Sequence, residues 1–231
     1  MNKVFDFINK ELKGWKSGEL AGLIIVLPII LYNSVLLHDS PVAVTSAVCG
    51  ILYTIIAGKG KISCYIFGLT GSSFYGYLAF SNALWGNLLL YIGYYIPMQI
   101  LGIFKWKKNL NKSTNEIYKT KLTNKERIAF IFLSLAFCVF GYAGLTIFHD
   151  SHPLLDSVST ILSITGMYLT VKRCIEQWLV WSIVNLIGII MWFRVIQSGE
   201  KVYSTLLMWS VYLVLGIYFY FQWKKELYNN A

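Results

Sequence analysis

Residues 176–193 read EQWLVWSIVNLIGIIMWF. The stretch is apolar enough to sit in lipid, where a helix needs roughly 20 such residues to cross. Within it Trp178, Trp181 and Asn185 recur at i, i+3 and i+7. On a helix that spacing gathers two indoles and one amide into a single stripe. An amide in hydrocarbon is costly unless it finds a partner or a water-lined cavity, so the stripe is expected to face inward. The spacing therefore predicts one wall of a small-molecule site at membrane depth.

The rest of the chain has the composition this stretch requires. Of its 231 residues, 56% are hydrophobic and only 13% charged, whereas a soluble domain carries about a quarter charged residues. The fold class expected is an all-α polytopic membrane protein. The net charge of +9 does not point to nucleic acid, because the Lys and Arg residues lie between the apolar runs rather than along one face. No short apolar core with a small-residue cleavage site is visible near Met1, so no signal peptide is expected. Cys49, Cys64, Cys138 and Cys174 lack metal spacing and read as packing residues.

Eight spans are expected, at about 19–37, 42–58, 62–81, 84–104, 127–148, 154–171, 175–195 and 202–222. Before them Val4, Ile8, Leu12 and Trp15 share one helical face, which suits a short helix lying on a membrane surface. Placing the N-terminus inside puts 18 of the 20 basic residues on that side, leaving Arg194 and Lys201 outside. Both termini are therefore expected to be cytoplasmic. The basic stretch between the fourth and fifth spans is expected to meet anionic headgroups or simply to enforce that topology.

The two halves echo one another. His38-Asp39-Ser40 precedes a proline and a span, as His149-Asp150-Ser151 does. Lys59-Gly60-Lys61 answers to Lys172-Arg173, and residues 65–80 align with 178–193 at equal length. Leu101-Gly102-Ile103 with Trp106-Lys107-Lys108 recurs as Leu215-Gly216-Ile217 with Trp223-Lys224-Lys225. A four-span unit returns the chain to its starting side, so the copies share one orientation. Parallel repeats of this kind occur in transporters, with the substrate held between them.

The candidate site residues follow from the same reasoning. Gln99 and Asn185 offer amide donors and acceptors. Tyr95 lies one turn before Gln99 on the same face, and Tyr212 in the last span is placed to close a pocket. Each has a plainer reading: Asn185 as an inter-helix hydrogen bond, Gln99 as a partner for the carbonyl freed by Pro97. Trp15, Trp85, Trp106 and Trp223, near span ends, read as interface anchors. His149, His152 and Asp150 read as a solvated outer loop rather than a metal site. No Asp, Glu, Lys or Arg lies deep in a span, which disfavours ion-coupled pumping. The spans also contain no nucleotide-binding loop, catalytic triad or carboxylate pair, and no cofactor is implied. A non-transporting membrane enzyme or partner subunit is the alternative from another class.

Trp178-x-x-Trp181-x-x-x-Asn185 in the penultimate span resembles the WxxW signature of the PnuC family of nicotinamide riboside transporters. The Trp-Lys-Lys ends and the one-plus-three-plus-one-plus-three layout fit too. The resemblance implies a fold akin to the SWEET sugar transporters, two three-helix bundles joined by a linking helix, with an additional first span. The expected organisation is a lead-in over 1–18, an extra span over 19–37 and a first bundle over 38–104. A loop and linking helix over 105–148, a second bundle over 149–225 and a tail over 226–231 complete it. The resemblance also implies a homotrimer in a bacterial inner membrane, facilitated diffusion of nicotinamide riboside, and trapping by a cytoplasmic kinase. Relatives that carry thiamine, riboflavin or deoxynucleosides are the nearest alternatives for substrate.

Overall fold

A computed structural model describes residues 11, 15, 17–36, 40–81, 85–111, 113–148, 153–197 and 203–229. The expected lead-in helix and the His149–His152 loop fall largely outside the described residues. The elements are α1 (Ser17–Leu36), α2 (Pro41–Gly58), α3 (Cys64–Ser81), α4 (Trp85–Lys107), α5 (Asn124–Ile147), α6 (Pro153–Val171), α7 (Glu176–Gln197) and α8 (Tyr203–Asn229). Among the described residues, α2, α4, α5, α6 and the greater parts of α7 and α8 are long and apolar enough to cross a membrane. Helix α1 offers a shorter apolar stretch, Gly22–Leu36. Helix α3 is richer in Gly, Ser and Tyr, because it packs through small residues: Gly68, Gly71, Ser72, Gly76 and Ala79 are all buried.

Local sequence sets the helix starts. Ser40 accepts from the Ala43 amide at 3.2 Å, and Pro41 occupies the first turn of α2, where its missing N–H costs nothing. Thr123-Asn-Lys-Glu126 forms a reciprocal capping box at the start of α5. Helix α8 runs past the expected end of its span to Asn229, its last turns tied by the Gln222–Glu226 side-chain bond of 3.1 Å.

The chain divides into two compact units, Met1–Tyr118 and Lys119–Ala231. In the first, α1 packs on α2, α2 on α3 and α3 on α4. In the second, α5 packs on α6, α6 on α7 and α7 on α8. The fifth helix, expected as a linker, thus lies inside the second unit. It buries none of its own residues and leaves Ile131, Phe132, Leu135 and Phe140 exposed, as a lipid-facing helix does.

Each unit has the same tight turn after its first bundle helix. Gly60 adopts φ 69° and Arg173 φ 63°, both in the left-handed region. The carbonyl of Gly60 accepts from the Ile117 amide at 2.9 Å, and that of Arg173 from the Thr120 amide at 3.0 Å. The later part of the polar stretch after α4 is therefore held by its backbone at Ile117 and Thr120, with Ile117 and Leu122 buried. In the first unit, Lys61 reaches the Thr114 carbonyl at 3.0 Å, and the buried Lys59 pairs with Glu19 of α1 at 3.0 Å. Burial pushes the thiol of Cys174, beside the second turn, above its ordinary range, in keeping with an inert packing residue.

Candidate functional site

In the second unit the orientation of α7 is fixed at its first residue. Glu176 accepts the Leu122 amide at 3.2 Å and the Arg127 guanidinium at 2.8 and 2.9 Å. A carboxylate in the first turn also complements the helix dipole. Two residues on, the Trp178 indole turns toward α8, where it meets Phe219 at 5.2 Å and Trp223 edge-on at 5.6 Å. It is only 3% exposed, and its buried Nε1 has no hydrogen-bond partner among the described residues.

Trp181 turns the other way, toward α6. Its Nε1 donates to Thr170 Oγ1 at 3.2 Å, and its ring lies flush on Gly166. A Cβ at Gly166 would come within 2.9 Å of the indole Cε2, so only glycine admits the ring there. Thr170 in turn donates to the Gly166 carbonyl at 2.8 Å, which holds its oxygen in place for the indole. The Trp181 ring remains partly exposed. One turn further on, Asn185 is 6% exposed. Tyr212 sits partly buried on α8, edge-on to Trp209 at 6.4 Å.

The expected single stripe is therefore divided. Trp178 is packed into the α7–α8 contact, while Trp181 keeps part of its ring surface open and Asn185 is buried one turn on. Side chains at i and i+3 diverge by a sixth of a turn on a helix. Different neighbours on the two sides suffice to separate them.

The first unit holds a polar cluster of its own on α4. Tyr95 ends a π-helical segment, Leu89–Tyr95, in which the Ile96 amide reaches back five residues to the Tyr91 carbonyl. Pro97 follows at once. In a regular helix its ring would clash with the Gly93 carbonyl and its missing amide would leave that carbonyl idle. The widened turn relieves the clash, and such turns recur at functional sites. Tyr95 is buried against the Tyr91 ring at 4.9 Å. Gln99, 2% exposed, donates through Nε2 to Ser72 Oγ of α3 at 2.8 Å rather than turning back to the freed carbonyl. Its Oε1 is buried without a hydrogen-bond partner among the described residues.

Two tryptophans expected at the membrane interface are core residues instead. Trp106 and Trp223 are 0% exposed. Trp106 receives Tyr65 edge-on at 5.0 Å, as Trp223 receives Trp178. The alignment of residues 65–80 with 178–193 pairs Tyr65 with Trp178, so the repeat preserves this contact in both units. Trp85 is exposed, as an anchor should be. Ser72, Thr170 and Gly166 escaped the sequence reading; the alignment pairs Ser72 with Asn185, the one signal that marked it.

Among the described residues no group of His, Cys, Asp or Glu could hold a metal ion. Comparison with known proteins agrees with the helical layout. A family model described as "Nicotinamide mononucleotide transporter" matches residues 40–225. Over 223 residues the chain is 32% identical to the nicotinamide riboside transporter PnuC of Neisseria mucosa, covering 94% of this chain and 85% of that one. The PnuC of Haemophilus influenzae is 31% identical over 218 residues, covering 93% and 92%. A crystal structure of the vitamin B3 transporter PnuC superposes with a TM-score of 0.83 at 31% identity, covering 96% of this chain and 97% of that one. The chain, a multi-pass helical membrane protein, belongs to this family of transporters, the one that includes the PnuC proteins.

Proposed function

We propose that the protein carries nicotinamide riboside across a bacterial inner membrane by facilitated diffusion. It alternates access between the two sides, with both termini cytoplasmic and a cytoplasmic kinase trapping the substrate. A homotrimer is the assembly that goes with this reading. The observation that carries it is the half-open Trp181 indole, locked by Thr170, one turn from the buried Asn185. An indole face attracts a pyridinium by about 0.5–2 kcal/mol. A side-chain amide matches a carboxamide donor for acceptor. Trp178 serves as the packed wall behind them, with Tyr212 as a further substrate contact in the same unit; Gln99 and Tyr95 are the polar contacts proposed for the first unit.

The chemistry also favours the riboside over its phosphate. Every Lys and Arg within a helix lies in its first or last two turns. A phosphate needs a fork of cationic donors. The same lack of deep charge supports a uniporter, since ion-coupled carriers place ionisable groups at membrane depth. Displacement of labelled nicotinamide riboside from purified protein tests the reading. Unlabelled riboside is expected to compete at least tenfold better than the mononucleotide or thiamine, the equivalent of about 1.4 kcal/mol. Equal competition by thiamine would reassign the substrate.

A further inference from the structure

The duplication preserves one more pattern, at the end of the last helix of each unit. Phe104-Lys105-Trp106-Lys107-Lys108 of α4 recurs as Phe221-Gln222-Trp223-Lys224-Lys225 of α8. In both, the Trp is fully buried, while the Phe and the last two Lys are exposed. Helical spacing accounts for the split. A Phe and two Lys at i, i+3 and i+4 share one face, and the Trp between them turns away from it.

Helix α8 carries this face to the height of the lipid headgroups. Its 27 residues extend about 40 Å, whereas the hydrocarbon core of a bilayer is about 30 Å thick. The apolar run ends at Phe221, so the excess falls on the turns that hold Lys224, Lys225 and the exposed Tyr228. Tyr228 lies one turn beyond the two lysines, so a ring brackets them on either side along one face. Rings flanking cations in this way match the boundary between acyl chains and headgroups. The opposite face of α8 is occupied within the unit. Trp223 lies under the Lys119 ammonium, 5.1 Å from the ring centre, and Glu226 pairs with the same ammonium.

Among the described residues, the acidic groups at this end of the second unit are all committed. Glu226 pairs with Lys119, Glu176 with Arg127 and Glu126 with Lys172. Lys121, Lys125, Lys224 and Lys225 are exposed and belong to none of these pairs. The Lys119–Glu226 pair also brings the segment that holds Lys121 to the end of α8. We propose that Phe221, Lys224, Lys225 and Tyr228 form a docking surface for the headgroup of an anionic phospholipid, with Lys121 and Lys125 adding to its positive field. Exposed ammonium groups without a nearby carboxylate suit a headgroup that keeps a net negative charge. The flanking rings suit the acyl chains attached to it. The first unit carries a smaller version of the same face, Phe104 with Lys107 and Lys108. This surface lies outside the substrate reading and does not depend on it.

The test is native mass spectrometry of the purified protein with added phosphatidylglycerol or phosphatidylcholine of the same acyl chains. Wild type is expected to hold its tightest phosphatidylglycerol about tenfold or more above phosphatidylcholine. Lys224→Gln alone is expected to weaken that lipid about fivefold. Gln at all four of Lys121, Lys125, Lys224 and Lys225 is expected to weaken it about tenfold or more, with phosphatidylcholine unchanged. Arg at the same four positions keeps the charge and is expected to keep the lipid. Arg194→Gln, at the other end of α7, is expected to change nothing. Size-exclusion profiles confirm that each variant is folded. Equal retention of the two lipids by wild type, undiminished phosphatidylglycerol binding by the four-Gln variant, or an equal loss in the four-Arg variant would overturn the surface. Displacement of the lipid by inorganic phosphate at equal concentration would also overturn it, marking an anion site with no preference for lipid.

Discussion

Trp181 is held by two residues of α6, Thr170 and Gly166. Thr170 fixes its nitrogen, Gly166 gives its ring a flat bed, and the Thr170–Gly166 bond makes the two one unit. Gly166→Ala would push the ring outward, since the new methyl falls 2.9 Å from Cε2. We expect substrate affinity to fall by about 1–2 kcal/mol, the loss of a good aromatic contact, while expression stays near wild type. Titration monitored by tryptophan fluorescence measures it directly. At this scale the sequence showed which residue types matter but not where they point. The i, i+3, i+7 spacing singled out Trp178, Trp181 and Asn185, and the amide is buried as expected. The separation of the two indoles was not legible, because it depends on Phe219, Trp223 and Gly166, all distant in sequence. The interface assignment of Trp106 and Trp223 failed for a related reason. Position near a span end suits either an anchor or an aromatic plug, and only the partners Tyr65 and Trp178 decide.

Among the elements, α4 carries the feature with most mechanical consequence. Its π-helical segment, Leu89–Tyr95, lies directly before Pro97, so the helix has one turn with looser bonding midway along its length. Pro97 was legible as a helix irregularity, whereas the form of the irregularity was not, because sequence does not say how a helix absorbs a proline. Replacing Pro97 by Ala would restore a donor and favour a regular turn. Transport rate is expected to fall several-fold or more, with substrate affinity within about twofold of wild type, as for a hinge that gates rather than binds. Stopped-flow uptake beside equilibrium binding separates the two quantities. Most other elements were legible to within a few residues from their apolar runs, whereas the cap Thr123-Glu126 starts α5 at Asn124, ahead of the expected 127, because its first turn is polar. The longer α8 was missed because its last turns are polar and are stabilised by side chains rather than by lipid.

At the scale of the molecule, the duplication visible in sequence reappears in detail within each unit. The left-handed turns at Gly60 and Arg173 and the ring-on-glycine pairs Tyr53–Gly68 and Trp181–Gly166 follow one alignment, and the Tyr65–Trp106 and Trp178–Trp223 contacts recur at the matching Trp-Lys-Lys ends. The connection after α4 was read as a basic loop, yet Ile117 and Leu122 anchor it against the turns. Two apolar residues among so many lysines are too weak a signal to find in advance. On the proposed reading, the carrier grips a sugar-bearing cation with rings and amides instead of charges. The most direct test is uptake of labelled nicotinamide riboside into proteoliposomes, with wild type beside Trp181→Ala and Asn185→Ala. Wild type is expected to fill the vesicles to the outside concentration and no further without an ion gradient, with each variant at least tenfold slower at low substrate, a loss of about 1.4 kcal/mol. Uptake by both variants at the wild-type rate, or accumulation by wild type above the outside concentration, would contradict the account.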